Sequence, residues 1–563
     1  MKTPLALLLL LAATAMPLPG GAAANDATGD IFTEHQYRAL NRRAASEYLR
    51  PVRRGGIDGR PYWNVFAKKF IYAPAFDFPT VSGANKYRYE LVCATGGRRL
   101  QFEGRSPAES LAPVWEQVPV GRVELTVSAL DRSGRVIATA GRRTFLRDFP
   151  FRGPYAPAPH GYHDAAVKAM LYVHNMPATR HWLTHTEPDM SFENNTYACK
   201  TIAATVSIEC LLARHVPALR SEAIAIARSA AACLMRISQG PNEPLAYFPP
   251  TYYLEPENRN GWPHHTWTIN SGKTMLPDAC MPAQAFLDLY DLTADTLYLA
   301  QARRIAATYL RLQAGDGSWP IKVYLATGKP VEAVGATPSP MLFLLRRLSA
   351  PAYGPAPADY ARAIARAEKW MESGPLKTFN LTGQFEDQPM EGLAPYQNLT
   401  NCTANDYASY LLTLPAPTPA QVATATELMQ LCEDQFVHWD ALPTDSAPDY
   451  ANAAGATIRP ELTPCVHEQY GYETPTDDSA AQVALGFLNL YHTTGQSLWL
   501  AKAIALTNAI AISQNQTNGQ IPTTWEFRSE PFSVERTYWL NCTLNSVNQL
   551  LRMDQLINSK QKK

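Results

Sequence analysis

The chain has 563 residues, with 50 acidic and 50 basic side chains and a formal net charge of zero. A neutral chain with no long basic run lacks the electrostatic signature of a nucleic-acid-binding protein. It also provides no long-range field that would concentrate a highly charged polymer. A chain of this length is expected to form two or more domains unless one of them is a large barrel.

The N-terminal residues have the pattern of a secretory signal peptide. Lys2 gives a minimal basic start, an apolar run covers residues 4–15, and three alanines at 22–24 resemble a cleavage site. We therefore predict a signal peptide over residues 1–24 and a secreted or periplasmic protein, with an uncleaved anchor as the alternative. No later apolar stretch is long enough for a stable membrane span.

Residues 60–148, which follow an N-terminal segment (25–59), have the alternation of β-strands. The stretch "VELTVSAL" places Val123, Leu125, Val127 and Ala129 on one face and polar residues on the other. "DRSG" is a turn after which "RVIATA" returns as the partner strand, and "YRYELVC" alternates in the same way. We predict a small antiparallel β-sandwich of the immunoglobulin or fibronectin kind that packs against the larger unit.

A proline-rich linker at 149–161 separates this region from a helical one at 162–555, which a polar tail follows at 556–563. In "SAAQVALGFLNLY" the apolar residues recur with the spacing of one helix face. "LAQARRIAATYLRL" repeats that spacing. A mainly α domain is therefore expected after the linker.

An internal repeat organises this helical region. "LYDLTADTLYLAQARRIAATYLRLQAGDGSWP" begins at Leu289, and "LYHTTGQSLWLAKAIALTNAIAISQNQTNGQIP" begins at Leu490, 201 residues later. Each copy is typical of a helix, a short polar turn and a second helix, and the region holds roughly six or seven such hairpins. They can close into an (α/α) toroid; an open solenoid is the alternative.

The first of these repeats resembles the hairpins of six-hairpin glycosidase-like (α/α)-barrel proteins. "GQFEDQPMEGLAPYQNLT" and "HEQYGYETPTDDSAAQ" are similar to segments of an exported bacterial branch of that superfamily. The resemblance covers about residues 160–555 and implies the fold. It does not imply one reaction, because the superfamily contains hydrolases, lyases and epimerases.

Four polar segments interrupt the helical pattern, and a closed ring would bring them to one end. Hydrolysis of a glycosidic bond usually needs two carboxyl groups, and Glu386, Asp387 and Glu468 are the best candidates. Helix capping or pairing with arginine is the alternative role for Glu386 and Asp387.

A lyase would instead need a neutral base and a group that neutralises a sugar carboxylate. His265 or Tyr396 can serve as the base, and Arg259, Lys273 or Asn195 can bind the carboxylate. Adjacent histidines do not have the spacing of a shared metal site, and we predict no metal or cofactor.

Aromatic and polar residues in the same segments are candidates for binding a sugar, because a flat ring covers the apolar face of a pyranose. These further candidates are Trp262, His264, Trp267, Glu391, His467, Tyr470 and Trp525. The sequence therefore predicts an exported enzyme that cleaves a glycan, most simply a glycoside hydrolase. A lyase acting on uronic acids and a non-catalytic glycan-binding protein are the alternatives, and the oligomeric state stays open.

The nine cysteines are scattered singly, and none forms Cys-x-x-Cys. Export would permit disulfides, but an odd number leaves at least one thiol unpaired. Buried thiols acting as small apolar residues are the favoured interpretation.

Overall fold

A computed structural model describes residues 31–52, 62–253, 270, 272–378, 381, 396–397, 399–441, 463–470, 472–525 and 538–561. The predicted signal peptide lies outside the described residues. The structure is mainly helical, with 53% helix. Among the described residues, no helix is long and apolar enough to cross a membrane.

The N-terminal part combines one helix with a single main sheet. Helix α1 (Glu34–Glu47) begins after Thr33, whose side chain and that of Gln36 form a reciprocal capping box. The strands are β1 (Tyr62–Trp63), β2 (Lys69–Phe70), β3 (Ala75–Phe76), β4 (Lys86–Cys93), β5 (Arg99–Gly104), β6 (Gly121–Leu130) and β7 (Val136–Arg147). Strands β2-β7-β6-β4-β5 form one sheet, and β1 pairs with β3.

The alternation read from the sequence is confirmed, but the predicted sandwich is not. Val123, Leu125, Val127 and Ala129 are buried on one face of β6, which is antiparallel to β7 and β4. The described strands form one five-stranded sheet and a short pair rather than two facing sheets. The buried face of the sheet contributes to the same hydrophobic core as the helices, which removes the need for a second sheet.

Twelve helices of ten or more residues follow in chain order within the described residues. They are α2 (Tyr162–Asn175), α3 (Ala198–His215), α4 (Arg220–Ile237), α5 (Cys280–Thr293), α6 (Thr296–Leu312), α7 (Ser339–Leu348), α8 (Ala358–Ser373), α9 (Asn401–Leu412), α10 (Pro419–Phe436), α11 (Asp477–Thr494), α12 (Ser497–Ser513) and α13 (Leu540–Gln561). Helix α13 continues past the predicted end of the domain at residue 555.

These helices form a closed ring of six hairpins within the described residues. The hairpins are α3/α4, α5/α6, α7/α8, α9/α10, α11/α12 and α13 with α2. The first helices contact one another in the cycle α3–α5–α7–α9–α11–α13–α3, so they make the inner wall. The sixth hairpin joins the last helix of the chain to the first of the ring, which closes it.

The sequence repeat corresponds to hairpins α5/α6 and α11/α12. Each turn has a left-handed residue after its first helix, Ala294 with φ of 57° in one copy and Gly495 with φ of 69° in the other. Glycine suits this position because it has no Cβ to clash. The matching backbone explains why the two copies keep the same spacing.

Short strands accompany the ring. Strands β8 (Lys273–Met275) and β9 (Lys322–Tyr324) form an antiparallel pair. Strands β10 (Val437–His438), β11 (Cys465–Gln469) and β12 (Tyr472–Pro475) form a three-stranded sheet. The linker 149–161 contains no helix or strand, but Phe151 packs edge-on against Trp439 at 5.0 Å between ring centroids. The linker is therefore attached to the ring.

The cysteines are all free thiols, and eight of the nine are buried, with Cys402 partly exposed. They include Cys93 in the sheet and Cys432 in the outer wall. The interpretation as small buried residues is confirmed, and no disulfide joins the described residues.

Gly486 lets three helices approach closely. A Cβ on this residue of α11 would collide with Asn405 of α9 and with Met429 of α10. We expect Gly486→Ala to destabilise the protein by about 1–3 kcal/mol, as overpacking does. Urea unfolding measures the change. The control Gly315→Ala, where a Cβ meets nothing within 4 Å, should change stability by less than about 0.5 kcal/mol; equal effects of the two variants would contradict this.

Candidate active site

The inner helices begin at one end of the ring, and polar side chains from several of them meet there. Asn545 of α13 contacts Asp478 of α11, and Asn401 of α9 contacts Ser479 of α11. At the same end, Asn194 before α3 donates to the carbonyl oxygen of Tyr538 before α13. Segments more than 300 residues apart in the chain are thus joined at this end.

Two aspartates on adjacent inner helices differ in their surroundings. Asp478 accepts hydrogen bonds from Asn545 Nδ2 at 2.6 Å and from Gln482 Nε2 at 2.8 Å. Asp406 of α9 makes no hydrogen bond within the described part of the chain, and its side chain is partly exposed to solvent. One carboxylate is held by two donors, and the other is open to an incoming group.

Burial raises the pKa of both aspartates, but the other influences on the two groups differ. Burial, and then the negative charge of Asp478, raises the pKa of Asp406 to about 7. Burial also raises the pKa of Asp478, but the two amide donors and the charge of Lys200 oppose the rise. At neutral pH, Asp406 therefore keeps its proton in much of the population, whereas Asp478 is the more readily ionised partner.

Glu468 belongs to the same cluster. Burial raises the pKa of the Cys402 thiol, and the negative charges of Asp406, Glu468 and Asp478 raise it further. Burial also raises the pKa of the Cys542 thiol, and the negative charges of Asp478, Asp477 and Glu468 raise it further. Carboxylates from α9, β11 and α11 thus lie near the beginnings of α9 and α13, where these two thiols are.

The strand that carries Glu468 is fixed to helix α9. Asn401 Nδ2 donates to the carbonyl oxygens of His467 at 2.7 Å and of Glu468 at 3.2 Å. The backbone N–H of Tyr470 donates to the carbonyl oxygen of Leu399 at 3.1 Å. These contacts set the position of β11 relative to the inner wall.

An aromatic group lies beside the carboxylates. Tyr197 contacts Trp539 edge-on at 5.0 Å and Tyr252 at 5.6 Å between ring centroids. Lys200 Nζ lies 5.6 Å from the centroid of Trp539, which is within cation–π range. Trp539 and Tyr252 are partly exposed, so their rings can contact a ligand at this end.

The structure describes seven of the residues that the sequence suggested. Glu468 lies in the cluster. The other predicted residues described here have mainly internal contacts: Asn195 Nδ2 donates to Asp189 O, Tyr396 Oη donates to Thr378 O, Tyr470 Oη donates to Gln435 Oε1, and Trp525 is 1% exposed. His467 is fully buried, and Lys273 lies on β8, partly exposed.

The remaining predicted residues lie outside the described residues. They are Arg259, Trp262, His264, His265, Trp267, Glu386, Asp387 and Glu391. Among the residues that the structure describes, no group of three or more histidine, cysteine, aspartate or glutamate side chains could hold a metal ion.

Sequence reasoning missed Asp406 as a functional candidate. It lies in "NCTANDYASYLL", which has regular helical spacing, whereas the predicted site residues come from irregular polar segments. The available signal was the polar run Asn401, Asn405 and Asp406 on a helix that otherwise belongs to the core. Three polar residues in the first two turns of an inner helix indicate that this end of the helix lines a functional site.

No family model and no curated protein matches this chain. Solved structures similar to it include a family 76 glycoside hydrolase from a bovine Bacteroides thetaiotaomicron strain, with 10% identity, 86% of this chain and 98% of that chain covered, and a TM-score of 0.45. An unsaturated glucuronyl hydrolase specific for heparin has 9% identity, covering 70% of this chain and 98% of that chain, with a TM-score of 0.43.

Cellobiose 2-epimerase from Spirochaeta thermophila is also similar, with 12% identity over 66% of this chain and 89% of that chain and a TM-score of 0.41. These proteins belong to the six-hairpin glycosidase superfamily, which is the resemblance noted from the sequence. With TM-scores below 0.5, they identify no activity for this chain, and its function has to be argued from its own residues.

Proposed function

We propose that the chain is an exported carbohydrate-active enzyme that cleaves glycosidic bonds as a glycoside hydrolase. The observation that carries this proposal is the contrast between Asp406, whose pKa is raised to about 7, and Asp478, which accepts two amide hydrogen bonds. Glycosidases need one protonated and one ionised carboxyl group. Environments that push two pKa values apart provide that pair.

In this proposal, Asp406 is the general acid that protonates the leaving oxygen. Its pKa near working pH combines a substantial protonated fraction with the strength to donate. Asp478 or Glu468 is the ionised group that activates water or attacks the sugar. Glu386 and Asp387 stay predictions from the sequence.

The aromatic group supports a sugar as the ligand. Trp539 and Tyr252 are partly exposed, so their rings can cover the apolar face of a pyranose. Flat rings of this kind are typical of a sugar-binding pocket.

The lyase alternative has less support among the described contacts. Tyr396, one of its two candidate bases, is 2% exposed, and its hydroxyl donates to the carbonyl oxygen of Thr378 at 2.7 Å. A purely binding role would not need a carboxyl group with a raised pKa, because burying such a group lowers stability.

A panel of neutral and uronic-acid-containing glycans tests the proposal. New reducing ends without the ultraviolet absorbance of an unsaturated uronide support a hydrolase. That absorbance would support the lyase, and binding without new ends would support a glycan-binding protein. Either of the last two results would contradict the proposal.

Glu468→Gln is expected to cut turnover by at least ~10²-fold with folding intact, because the loss of an acid, base or nucleophile has at least that effect. Steady-state kinetics on a glycan that the wild type cleaves measures it. The matched control is Glu116→Gln, an exposed glutamate of the N-terminal part, which should keep wild-type turnover. Wild-type turnover in Glu468→Gln would remove this residue from the site.

A further inference from the structure

We propose that the N-terminal sheet is part of the catalytic unit, because a buried chain of Asp148, His438 and His467 positions the strand that carries Glu468. This inference rests on the proposed function, since it assigns the three residues a positioning role toward a site residue. None of them touches the substrate in this proposal. The contacts that carry it run from the end of β7, through β10, to β11.

Two consecutive residues of β11, His467 and Glu468, have different surroundings, and the pairing of β11 with β12 shifts between His467 and Gln469. His467 is fully buried, and Glu468 is partly exposed at the carboxylate cluster. Contacts that hold the His467 ring therefore also hold the adjacent backbone of β11, from which the Glu468 side chain extends.

The contacts begin in the N-terminal part, at Asp148 and Lys69. Asp148, which follows β7 directly, lies 2.9 Å from Lys69 Nζ and 2.8 Å from His438 Nδ1, both measured to Oδ2. Lys69 Nζ also donates to the carbonyl oxygen of Val437 at 2.5 Å. His438 Nε2 lies 3.1 Å from His467 Nδ1. All four charged or titratable side chains are almost completely buried.

The protonation states follow from these contacts. Burial raises the pKa of Asp148, but Lys69 and His438 lower it by more. The net pKa is below its usual value, so Asp148 is a carboxylate. Burial and then the charge of Lys69 lower the pKa of His438. Burial and then His438 lower the pKa of His467 well below its usual value. Both imidazoles are therefore neutral, with one N–H each.

Neutral rings favour one arrangement of protons. The 2.8 Å contact between His438 Nδ1 and Asp148 does not have the angle of a good hydrogen bond, but an unprotonated Nδ1 would be repelled by the carboxylate. His438 therefore carries its proton on Nδ1, and its Nε2 is an acceptor. His467 must then carry its proton on Nδ1 to donate to that acceptor, and its own Nε2 is unprotonated. The Asp148 carboxylate of the N-terminal part thus determines the tautomer and the orientation of the His467 ring, which lies on the same strand as Glu468.

A second link runs in parallel. Gln435 Nε2 donates to the carbonyl oxygen of Lys69 at 3.0 Å, and Gln435 Oε1 accepts from Tyr470 Oη at 2.5 Å. Tyr470 follows β11 directly. The strand is therefore held from the N-terminal part at both His467 and Tyr470.

His438→Asn is the sharpest variant for testing the positioning role. The asparagine amide can still donate toward Asp148, which keeps that carboxylate paired, but its side chain ends before His467. Turnover of a glycan that the wild type cleaves should fall by up to about 100-fold, because a displacement of a catalytic group by about 1 Å can cost that much. KM should change little, because no substrate contact is lost.

Tyr72→Phe is the matched control. It removes a 2.9 Å hydrogen bond to Glu433 from the same interface without touching β11, so it reports the effect of weakening the interface alone. We expect wild-type kcat and KM in Tyr72→Phe. Equal kcat in the two variants, with the wild type active, would overturn the positioning role.

Nitrogen-15 spectra of histidine-labelled protein provide a readout that does not depend on activity. The His467 signals, assigned by comparison with His467→Asn, should show a protonated Nδ1 and an unprotonated Nε2. The opposite tautomer would overturn the proposed chain of contacts. If the wild type cleaves no glycan of the panel, the proposed function and the positioning role both fail, whereas the tautomer still supports or overturns the chain of contacts by itself.

Discussion

Asp406→Asn is expected to reduce turnover by at least ~10²-fold, since it removes the general acid from the proposed pair. The same change should stabilise the folded protein above pH 7, because it removes a carboxyl group whose ionisation the fold disfavours. Loss of activity together with a gain in stability is the mark of a group retained for function. Steady-state kinetics and thermal unfolding measure the two effects.

The gain in stability of Asp406→Asn should depend on pH. The pKa of Asp406 is raised from 3.8 to about 7 on folding, so the folded state binds this proton more tightly than the unfolded chain does. The stability it contributes is fully present below pH 3.8 and is lost as the pH rises through about 7. The gain in melting temperature of Asp406→Asn over the wild type should therefore be larger at pH 8 than at pH 4.

Asp359→Asn serves as the control, because this aspartate is exposed on the outer helix α8. It should leave turnover unchanged and should show no comparable gain in stability at pH 8. An Asp406→Asn protein with wild-type turnover, or one less stable than the wild type at pH 8, would contradict the assigned role.

Lys502→Met is expected to produce the largest loss of stability. Glu433 of α10 is completely buried and accepts from Lys502 Nζ at 2.6 Å, Tyr48 Oη at 2.6 Å, Tyr72 Oη at 2.9 Å and Trp439 Nε1 at 3.1 Å. Removal of the ammonium leaves a buried carboxylate without its cation, which costs about 3–5 kcal/mol. Urea unfolding followed by tryptophan fluorescence measures the loss.

The double variant Glu433→Gln with Lys502→Met separates charge from packing. It removes both charges, so it should be more stable than Lys502→Met alone. Removal of the exposed Arg38, which pairs with Glu34 one helical turn away, should cost less than about 1 kcal/mol. A double variant less stable than Lys502→Met would show that packing around Lys502, rather than its charge, dominates.

The regular parts of the fold could be predicted from the sequence. The apolar spacing of α6 and α11 and the alternation of β6 depend on local geometry, which repeats within a few residues. The repeat between Leu289 and Leu490 predicted the hairpins. Closure of the ring depends on contacts such as Asn545 with Asp478, which no local pattern encodes.

The single sheet and the buried network were harder to predict for related reasons. Alternation shows that β6 has one buried face, but it does not show whether a second sheet or the helical ring covers that face. Lys69, Asp148, Glu433 and Lys502 are distant in sequence and are stable when buried only because they pair with one another. Each of them alone has the appearance of an ordinary surface charge.

Glu468 is the one residue of the proposed carboxylate cluster that the sequence had suggested, and its role stays a prediction. Glu468 was proposed from an irregular polar segment, and the structure brings it close to carboxylates of two inner helices. Asp406 was missed because its helix has regular spacing, and its raised pKa comes from burial and from Asp478, 72 residues further along the chain. Such a perturbation exists only in the folded protein.

The most direct test is the crystal structure of Asp406→Asn with an oligosaccharide that the wild type cleaves. A glycosidic oxygen within about 3 Å of the side chain at position 406, with the sugar between the beginnings of α9 and α11, is the expected result. An oligosaccharide bound only on the N-terminal sheet, or at the opposite end of the ring, would contradict the assignment of this end as the active site.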